Sequence, residues 1–249
     1  MRKFGLIGYP LSHSFSGKYF AEKFDRENIQ DASYELFELA DIKEVSQVFA
    51  LPELKGFNIT IPYKHAIIDY LDRLDDSAQK VGVVNVVKIA SDGSRIGYNS
   101  DYYGFKQSLI NWIGATGITQ MAYALVLGTG GASKAVIAVL KDLGIEYKVA
   151  SRSLSNGDLT YEQLNEHPKS LDKFSLVINT TPLGTWPNTL EKADLPYGQI
   201  TESMFLYDLI YNPKVTAFMQ EGSNKNAKVK NGHEMLVLQA ERSWEIWNA

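Results

Sequence analysis

Ala122-Tyr-Ala-Leu-Val-Leu-Gly-Thr-Gly-Gly-Ala-Ser133 decides the expected fold of this chain. Ala122–Leu127 reads as a buried strand. The helix after the glycines runs to Leu143 and stops at Gly144, a good C-terminal stop. A strand, a Gly-x-Gly-Gly turn and a helix form the setting in which backbone N–H groups hold a pyrophosphate. Gly128 permits the tight turn, and Gly130 lets a ligand approach the backbone. Thr129, Gly131 and Ala132 complete the segment, and Ser133 stands where the fingerprint has Gly or Ala. Taken alone, the motif is also compatible with a tight structural turn.

The next strand, Ile145–Ala150, bears on the type of nucleotide. Sites that choose NAD place Asp or Glu at this strand end, about 20 residues on, to hold the ribose 2′-OH. Here the strand runs into Ser151-Arg152-Ser153, with no carboxylate. Arg152 offers a planar charged fork suited to a 2′-phosphate, and Ser151 and Ser153 add hydroxyls. The alternative is a solvated loop arginine. With the glycine turn, the expectation is NADP.

Working outward, strands and helices alternate along the chain. Phe4–Gly8, Ser33–Leu39 and Leu54–Ile61 read as strands, and Phe15–Ile29 as a helix. Asp41 with Glu44 makes a capping-box-like start to a helix through Phe49. Val83–Ala90 and Arg95–Tyr98 flank Ser91-Asp92-Gly93-Ser94, a hairpin signal. Tyr102–Ile113 and Leu236–Trp247 read as helices, and Leu176–Asn179 and Phe205–Leu209 as further short strands. Strands separated by helices of this length favour a parallel, doubly wound sheet. The fold class is therefore α/β: a first α/β unit with an antiparallel element, then a Rossmann-like unit.

In Asn58-Ile-Thr-Ile-Pro-Tyr-Lys64, Phe57, Ile59 and Ile61 share one strand face, and Asn58 and Thr60 the other. Pro62 fits the first turn of a helix over Tyr63–Leu71. A lysine charge is disfavoured at a helix start, which suits Lys64 as a proton acceptor. The competing reading is an exposed lysine on an ordinary connection. Asp101 either faces the gap between domains, caps the helix from Tyr102, or does both. The hydroxyls of Ser12-His-Ser-Phe-Ser16 either hold a carboxylate or cap a helix. Asn85, amid valines, bonds a substrate or a neighbouring loop. The four histidines show no metal-ligand spacing, so no metal is expected.

The chain has 249 residues, 45% hydrophobic, with net charge −4 and no cysteine. That supports a real core in one large or two small domains. It argues against nucleic acid as a partner and excludes disulfides and thiolate chemistry. The apolar run after Met1-Arg2-Lys3 is too short for a signal peptide. No run approaches the ~18 residues that span a bilayer, so a soluble cytoplasmic protein is expected.

Eight ordered motifs carry a resemblance. They are Ser14-x-Ser16, Asn58-x-Thr60-x-Pro62-x-Lys64, Gly82-x-Val84-Asn85, Asn99-x-Asp101 and Gly128-x-Gly130-Gly131-Ala132-Ser133. Asn179-Thr-Thr-Pro182-x-Gly184, Asp208-Leu209-x-Tyr211-x-Pro213 and Gly232-x-x-Met235-Leu236-x-x-Gln239 follow. Over almost its whole length the chain resembles the shikimate dehydrogenase family. The resemblance implies two α/β domains around a cleft. A substrate-binding catalytic domain takes residues 1–101 and the returning helix 233–249, and an NADP-binding domain takes 102–232. It implies that Ser14 and Ser16 hold the substrate carboxylate and that Thr60, Asn85, Asp101, Tyr211 and Gln239 contact ring hydroxyls. Lys64 and Asp101 form the catalytic pair, and Leu209, Gly232 and Met235 lie near the nicotinamide.

The implied reaction interconverts 3-dehydroshikimate and shikimate, in a monomer or homodimer, within chorismate biosynthesis. The rivals are a quinate/shikimate dehydrogenase with relaxed choice and a catalytically silent NADP-binding regulatory module. The chain departs from the family pattern at Ser151–Ser155, which lacks a second arginine. It departs again at Gly82–Val86, and at His233-Glu234, which places an imidazole and a carboxylate close to the expected nicotinamide pocket.

Overall fold

A computed structural model describes residues 1–11, 14–115, 123–167 and 169–249. Ser12, His13 and Ala122 lie outside the described residues. Internal contacts divide the chain into two units, Met1–Tyr103 with Gln239–Ala249, and Gly104–Leu238.

The first unit contains β1 (Arg2–Gly8), α1 (Phe15–Arg26), β2 (Ala32–Glu38), α2 (Val45–Phe49) and β3 (Gly56–Ile59). β4 (Arg73–Leu74), α3 (Asp76–Val81), β5 (Val86–Ile89) and β6 (Arg95–Tyr98) follow, and α4 (Ser100–Ala115) begins two residues after β6, with its residues from Gly104 on counted in the second unit. The strands form one mixed sheet in the order β2-β1-β3-β5-β6-β4. The hairpin β5–β6 is antiparallel, and β5 is also antiparallel to β3. β3 and β6 therefore run in the same direction, and the segments that follow them leave the sheet on the same edge.

Alternation along the strands splits the core between the two sheet faces. Val87, Phe57 and Ile7 join one cluster with Val45 and Val48 of α2 and Ala78 of α3. Val86 and Phe4 join another with Phe20 of α1 and with Ala240, Ile246 and Trp247 of the terminal helix. Trp247 Nε1 donates to the Val87 carbonyl at 3.0 Å, so its polar edge is satisfied inside the core.

The second unit holds β7 (Tyr123–Leu127), α5 (Gly131–Asp142), β8 (Glu146–Ser151), β9 (Leu159–Thr160), α6 (Tyr161–Glu166) and β10 (Leu176–Asn179). It continues with β11 (Phe205–Asp208), α7 (Ala217–Ser223), β12 (Lys228–Lys230) and α8 (His233–Asn248), whose last turns belong to the first unit. The sheet order is β12-β11-β10-β7-β8-β9 and every pairing is parallel. Counted within this unit, that is the 3-2-1-4-5-6 order of the doubly wound dinucleotide fold. Its central strands are apolar except at their last residues, where Asn179 of β10 and Asp208 of β11 are buried. Among the described residues, no helix is long and apolar enough to cross a membrane.

Two expectations are corrected. The strand over Leu54–Ile61 ends at Ile59, so Ile61 does not share the face of Phe57 and is 74% exposed. The helix over Tyr63–Leu71 is a turn through residues 61–65 and then a 3-10 helix, Ala66–Tyr70. The Lys64 carbonyl accepts the Val84 N–H at 2.8 Å, which ties this residue to the neighbouring segment and keeps it out of a helical ladder. Lys64 is thus not on the first turn of an α-helix, and the dipole argument does not apply to it.

Candidate active site

In the first unit, Lys64 leaves the sheet after β3 and Asp101 after β6, on the shared edge. Lys64 Nζ donates to Asp101 Oδ2 at 2.6 Å, with the two side chains 23% and 15% exposed. This is a partly solvated ion pair with a short, charge-assisted hydrogen bond. Asp101 occupies the first turn of α4, where the helix dipole favours its negative charge. The cap expected of Asp101 falls to Asn99, whose Oδ1 accepts the Tyr102 N–H at 3.0 Å.

Asn85 and Gln239 meet beside that aspartate. Asn85 Oδ1 accepts the Ser100 N–H at 2.7 Å and its Nδ2 donates to Ser100 Oγ at 3.0 Å. Ser100 Oγ in turn lies 3.3 Å from Gln239 Oε1. The Asn85 amide therefore pins the start of α4. Thr60 follows β3 directly, with its N–H on the Ile7 carbonyl at 2.8 Å.

Ser14 takes the N-cap position of α1, yet its hydroxyl makes no cap bond. Ser14 Oγ is buried and has no hydrogen-bond partner among the described residues. A buried hydroxyl left in this condition costs free energy, and a bound acceptor would relieve it. Ser16 stands in the first turn of α1; the Tyr34 hydroxyl donates to Asn58 Oδ1 at 2.9 Å, and burial pushes its ionisation well above the usual range.

In the second unit, parallel register lines up Leu127 with Ala150 and Asn179, and Asn179 with Asp208. Gly128, Ser151, Thr180 and Leu209, the residues that follow, form one rim. At the switch point between β7 and β10 lies a cavity of about 610 Å³. Gly128, Thr129, Gly130, Ser151, Arg152, Thr180 and Thr181 line it. Gly128 has φ +97°, which disfavours any other residue, and an added Cβ would meet Thr181 Cγ2 at 2.9 Å. α5 opens at Gly131 with Gly130 as a cap that has no side chain, so its first N–H groups face outward without a capping partner. Nothing lies within 4 Å of a Cβ placed at Gly130 or Gly131. Ser133 is explained: it is buried, and its Oγ donates to the Gly130 carbonyl at 2.6 Å, bracing the turn. Ser151 Oγ donates to the Ser153 carbonyl, so it shapes the arginine loop.

Four lining residues escaped the sequence reading: Tyr161, Leu183, Lys192 and Asp194. Only Tyr161 had a legible signal, since Thr160 and Gln163 form a capping box that announces α6. Lys192 also lines the cavity, with its ammonium paired to Glu221.

Leu209 and Gly232 lie together: the Gly232 N–H donates to the Ile210 carbonyl at 3.0 Å, and an added Cβ would fall 2.0 Å from the Leu209 carbonyl oxygen. Met235 is buried, and Tyr211 is half-buried with its hydroxyl pKa raised by burial. Glu234 accepts from Asn111 at 2.7 Å, from Ser108 at 3.3 Å and from Lys230 at 2.5 Å. Its carboxylate fastens the start of α8 to α4 and β12, and His233 is exposed.

Asp208 is wholly buried, and among the described residues no cation pairs with it. It accepts from Asn179 Nδ2 at 3.0 Å, the Ile210 N–H at 3.0 Å and Thr216 Oγ1 at 2.6 Å. Burial raises its pKa to about 6 against those three bonds.

A six-stranded parallel unit with a glycine turn at its switch point, joined to a mixed α/β unit carrying an ammonium–carboxylate pair, defines the class: a two-unit α/β protein of Rossmann type. Residues 6–87 match the model of the shikimate dehydrogenase substrate binding domain. A shikimate dehydrogenase (NADP(+)) of Clostridium beijerinckii is 40% identical over 99% of this chain and 92% of its own length. One from Methanococcus maripaludis is 34% identical over 98% of this chain and 90% of its own length. The solved structure of Thermus thermophilus shikimate 5-dehydrogenase in complex with NADP(H) and shikimate has a TM-score of 0.82 at 28% identity, covering 99% of this chain and 93% of that one. The chain belongs to the shikimate dehydrogenase family.

Proposed function

We propose that this chain is an NADP-dependent shikimate dehydrogenase that reversibly reduces 3-dehydroshikimate to shikimate in the cytoplasm, as a monomer or homodimer. The observation that carries the reading is the 2.6 Å pairing of Lys64 Nζ with Asp101 Oδ2 in a member of this family. The second unit fits the cofactor. The open backbone at Gly130 and Gly131, the uncapped N–H groups of α5, and Arg152 and Lys192 on the cavity suit a pyrophosphate and a 2′-phosphate.

NADPH supplies the hydride when bound. Lys64 Nζ gives a proton to the ring oxygen as it changes from carbonyl to hydroxyl, and takes it back in the oxidative direction. Asp101 holds Lys64 Nζ in place, balances its charge and orients the same oxygen. Ser14, with its unpartnered hydroxyl, and Ser16 receive the substrate carboxylate. Thr60, Asn85, Gln239 and Tyr211 fix the ring hydroxyls, so the substrate is positioned before the proton moves. Gly128–Ala132 and Ser151–Ser153 hold the adenosine and phosphate groups. Leu209, Gly232 and Met235 are assigned to the nicotinamide.

The test is a spectrophotometric assay of purified protein with shikimate and NADP, repeated after treatment with a chelator. The expected result is shikimate-dependent formation of NADPH, unaffected by the chelator. Folded protein that turns over shikimate in neither direction overturns the reading.

A further inference from the structure

We propose that Asn179 and Asp208 are positioning residues that set one wall of the cofactor cavity from behind. The inference rests on the cofactor part of the functional reading above. Both residues lie in the second unit, at the ends of β10 and β11, where the parallel register places them side by side. Both are fully buried polar side chains that close apolar strands. The segment that follows Asn179 lines the cavity with Thr180, Thr181, Pro182 and Leu183.

Thr180 is held to β7 directly, its N–H and its hydroxyl donating to the Leu127 carbonyl at 3.0 and 2.6 Å. The next residues turn on the Asn179 amide. Asn179 Oδ1 accepts the Thr181 N–H at 3.0 Å and the Thr181 hydroxyl at 2.6 Å. With its hydrogen used, Thr181 Oγ1 accepts the Leu183 N–H at 3.3 Å. Thr181 Cγ2 then packs against the glycine turn, 2.9 Å from where a Cβ would stand on Gly128.

Asp208 braces that amide from the far side. Asn179 Nδ2 donates to Asp208 Oδ1 at 3.0 Å. Both neighbours demand the same orientation of the amide: a backbone N–H needs its oxygen, and a carboxylate, which only accepts, needs its NH2. The other Asp208 bonds lead away from the wall. Oδ1 also accepts the Ile210 N–H at 3.0 Å, and Oδ2 accepts the Thr216 hydroxyl at 2.6 Å. Thr216 caps α7 by accepting the Met219 N–H at 3.2 Å. Oδ1 therefore serves the cavity wall and Oδ2 the cap of α7. A buried network whose donors and acceptors are all used holds one arrangement.

That division supplies the test. Asn179→Ala removes the brace, and Asp208→Ala removes its support. Asp208→Asn, with its amide oxygen in the Oδ1 place, still accepts from Asn179 and Ile210. Thr216→Val removes the Oδ2 bond alone. NADPH binding is read by fluorescence titration well above the Asp208 pKa of about 6, where the group is a carboxylate. The KM for shikimate and thermal melts are read beside it. Asn179→Ala and Asp208→Ala are expected to raise the Kd for NADPH by roughly tenfold, the size of one hydrogen bond, with the KM for shikimate at the parent value. Asp208→Asn restores the parent Kd, and Thr216→Val lowers the melting temperature without weakening NADPH. A folded Asn179→Ala that binds NADPH as tightly as the parent overturns the inference. So does a Thr216→Val that loses as much NADPH affinity as Asn179→Ala, which marks a general loosening of the unit. Because binding is read without turnover, a parent that binds NADPH and does not oxidise shikimate overturns the functional reading and leaves the inference to the titrations. A parent that binds no NADPH overturns both.

Discussion

Lys64 and Asp101 are 37 residues apart in sequence, and their charged atoms lie 2.6 Å apart. The pairing follows from topology: β3 and β6 run the same way with β5 between them, so both side chains leave the sheet on one edge. Replacing Lys64 by Ala removes the proton donor and leaves the other substrate contacts. kcat should fall by roughly 10²–10⁴, with a much smaller rise in the KM for shikimate. Near-normal kcat would show that the lysine only binds or decorates the surface.

Asp101→Asn keeps the shape and removes the charge that holds the ammonium. kcat should fall, and the thermal melt should stay near the parent's, because the cap of α4 belongs to Asn99 and Asn85. A large loss of stability with kcat preserved would assign Asp101 to structure instead.

Arg152→Ala should raise the KM for NADP by about tenfold to a hundredfold, the worth of one charge-assisted bond. The KM for NAD should barely move, since NAD lacks the 2′-phosphate. Lys192 lines the same cavity, so Lys192→Ala should add a further loss toward NADP when combined with Arg152→Ala. Equal weakening of both cofactors would place Arg152 against the adenine or the loop.

Asp208 gives the stability of the second unit a pH signature. Its pKa is about 6 in the folded chain against an ordinary 3.8. Being raised, it makes the folded state bind the proton more tightly. Its stabilising protonation is complete below the ordinary value and is lost as pH rises through about 6. Denaturant titrations across that window should show a component that weakens with rising pH and vanishes in Asp208→Asn. Identical pH dependence in parent and variant would mean that Asp208 does not titrate there.

Much of the fold was legible because its signals are local. The run Tyr123–Leu127, the glycine turn and the stop at Gly144 are written in adjacent residues, and β7, α5 and β8 follow from them. The hairpin at Ser91–Ser94 and the capping box at Asp41 are equally local. The short edge strands β9 and β12 were missed because two or three residues carry no period. The helix over Tyr63–Leu71 was misread because a bond to Val84, far along the chain, withdraws the Lys64 carbonyl.

The same division runs through the site. Residue types and spacing alone singled out Lys64, Asp101, Arg152 and the glycine turn, because each has chemistry that few other residues offer. Tertiary structure decided how they are used. It paired Lys64 with Asp101, turned Asn85 onto Ser100 and brought Lys192 to the cavity of Arg152. Those outcomes depend on strand order and register, which join residues far apart in sequence, and no local pattern encodes the distance between them.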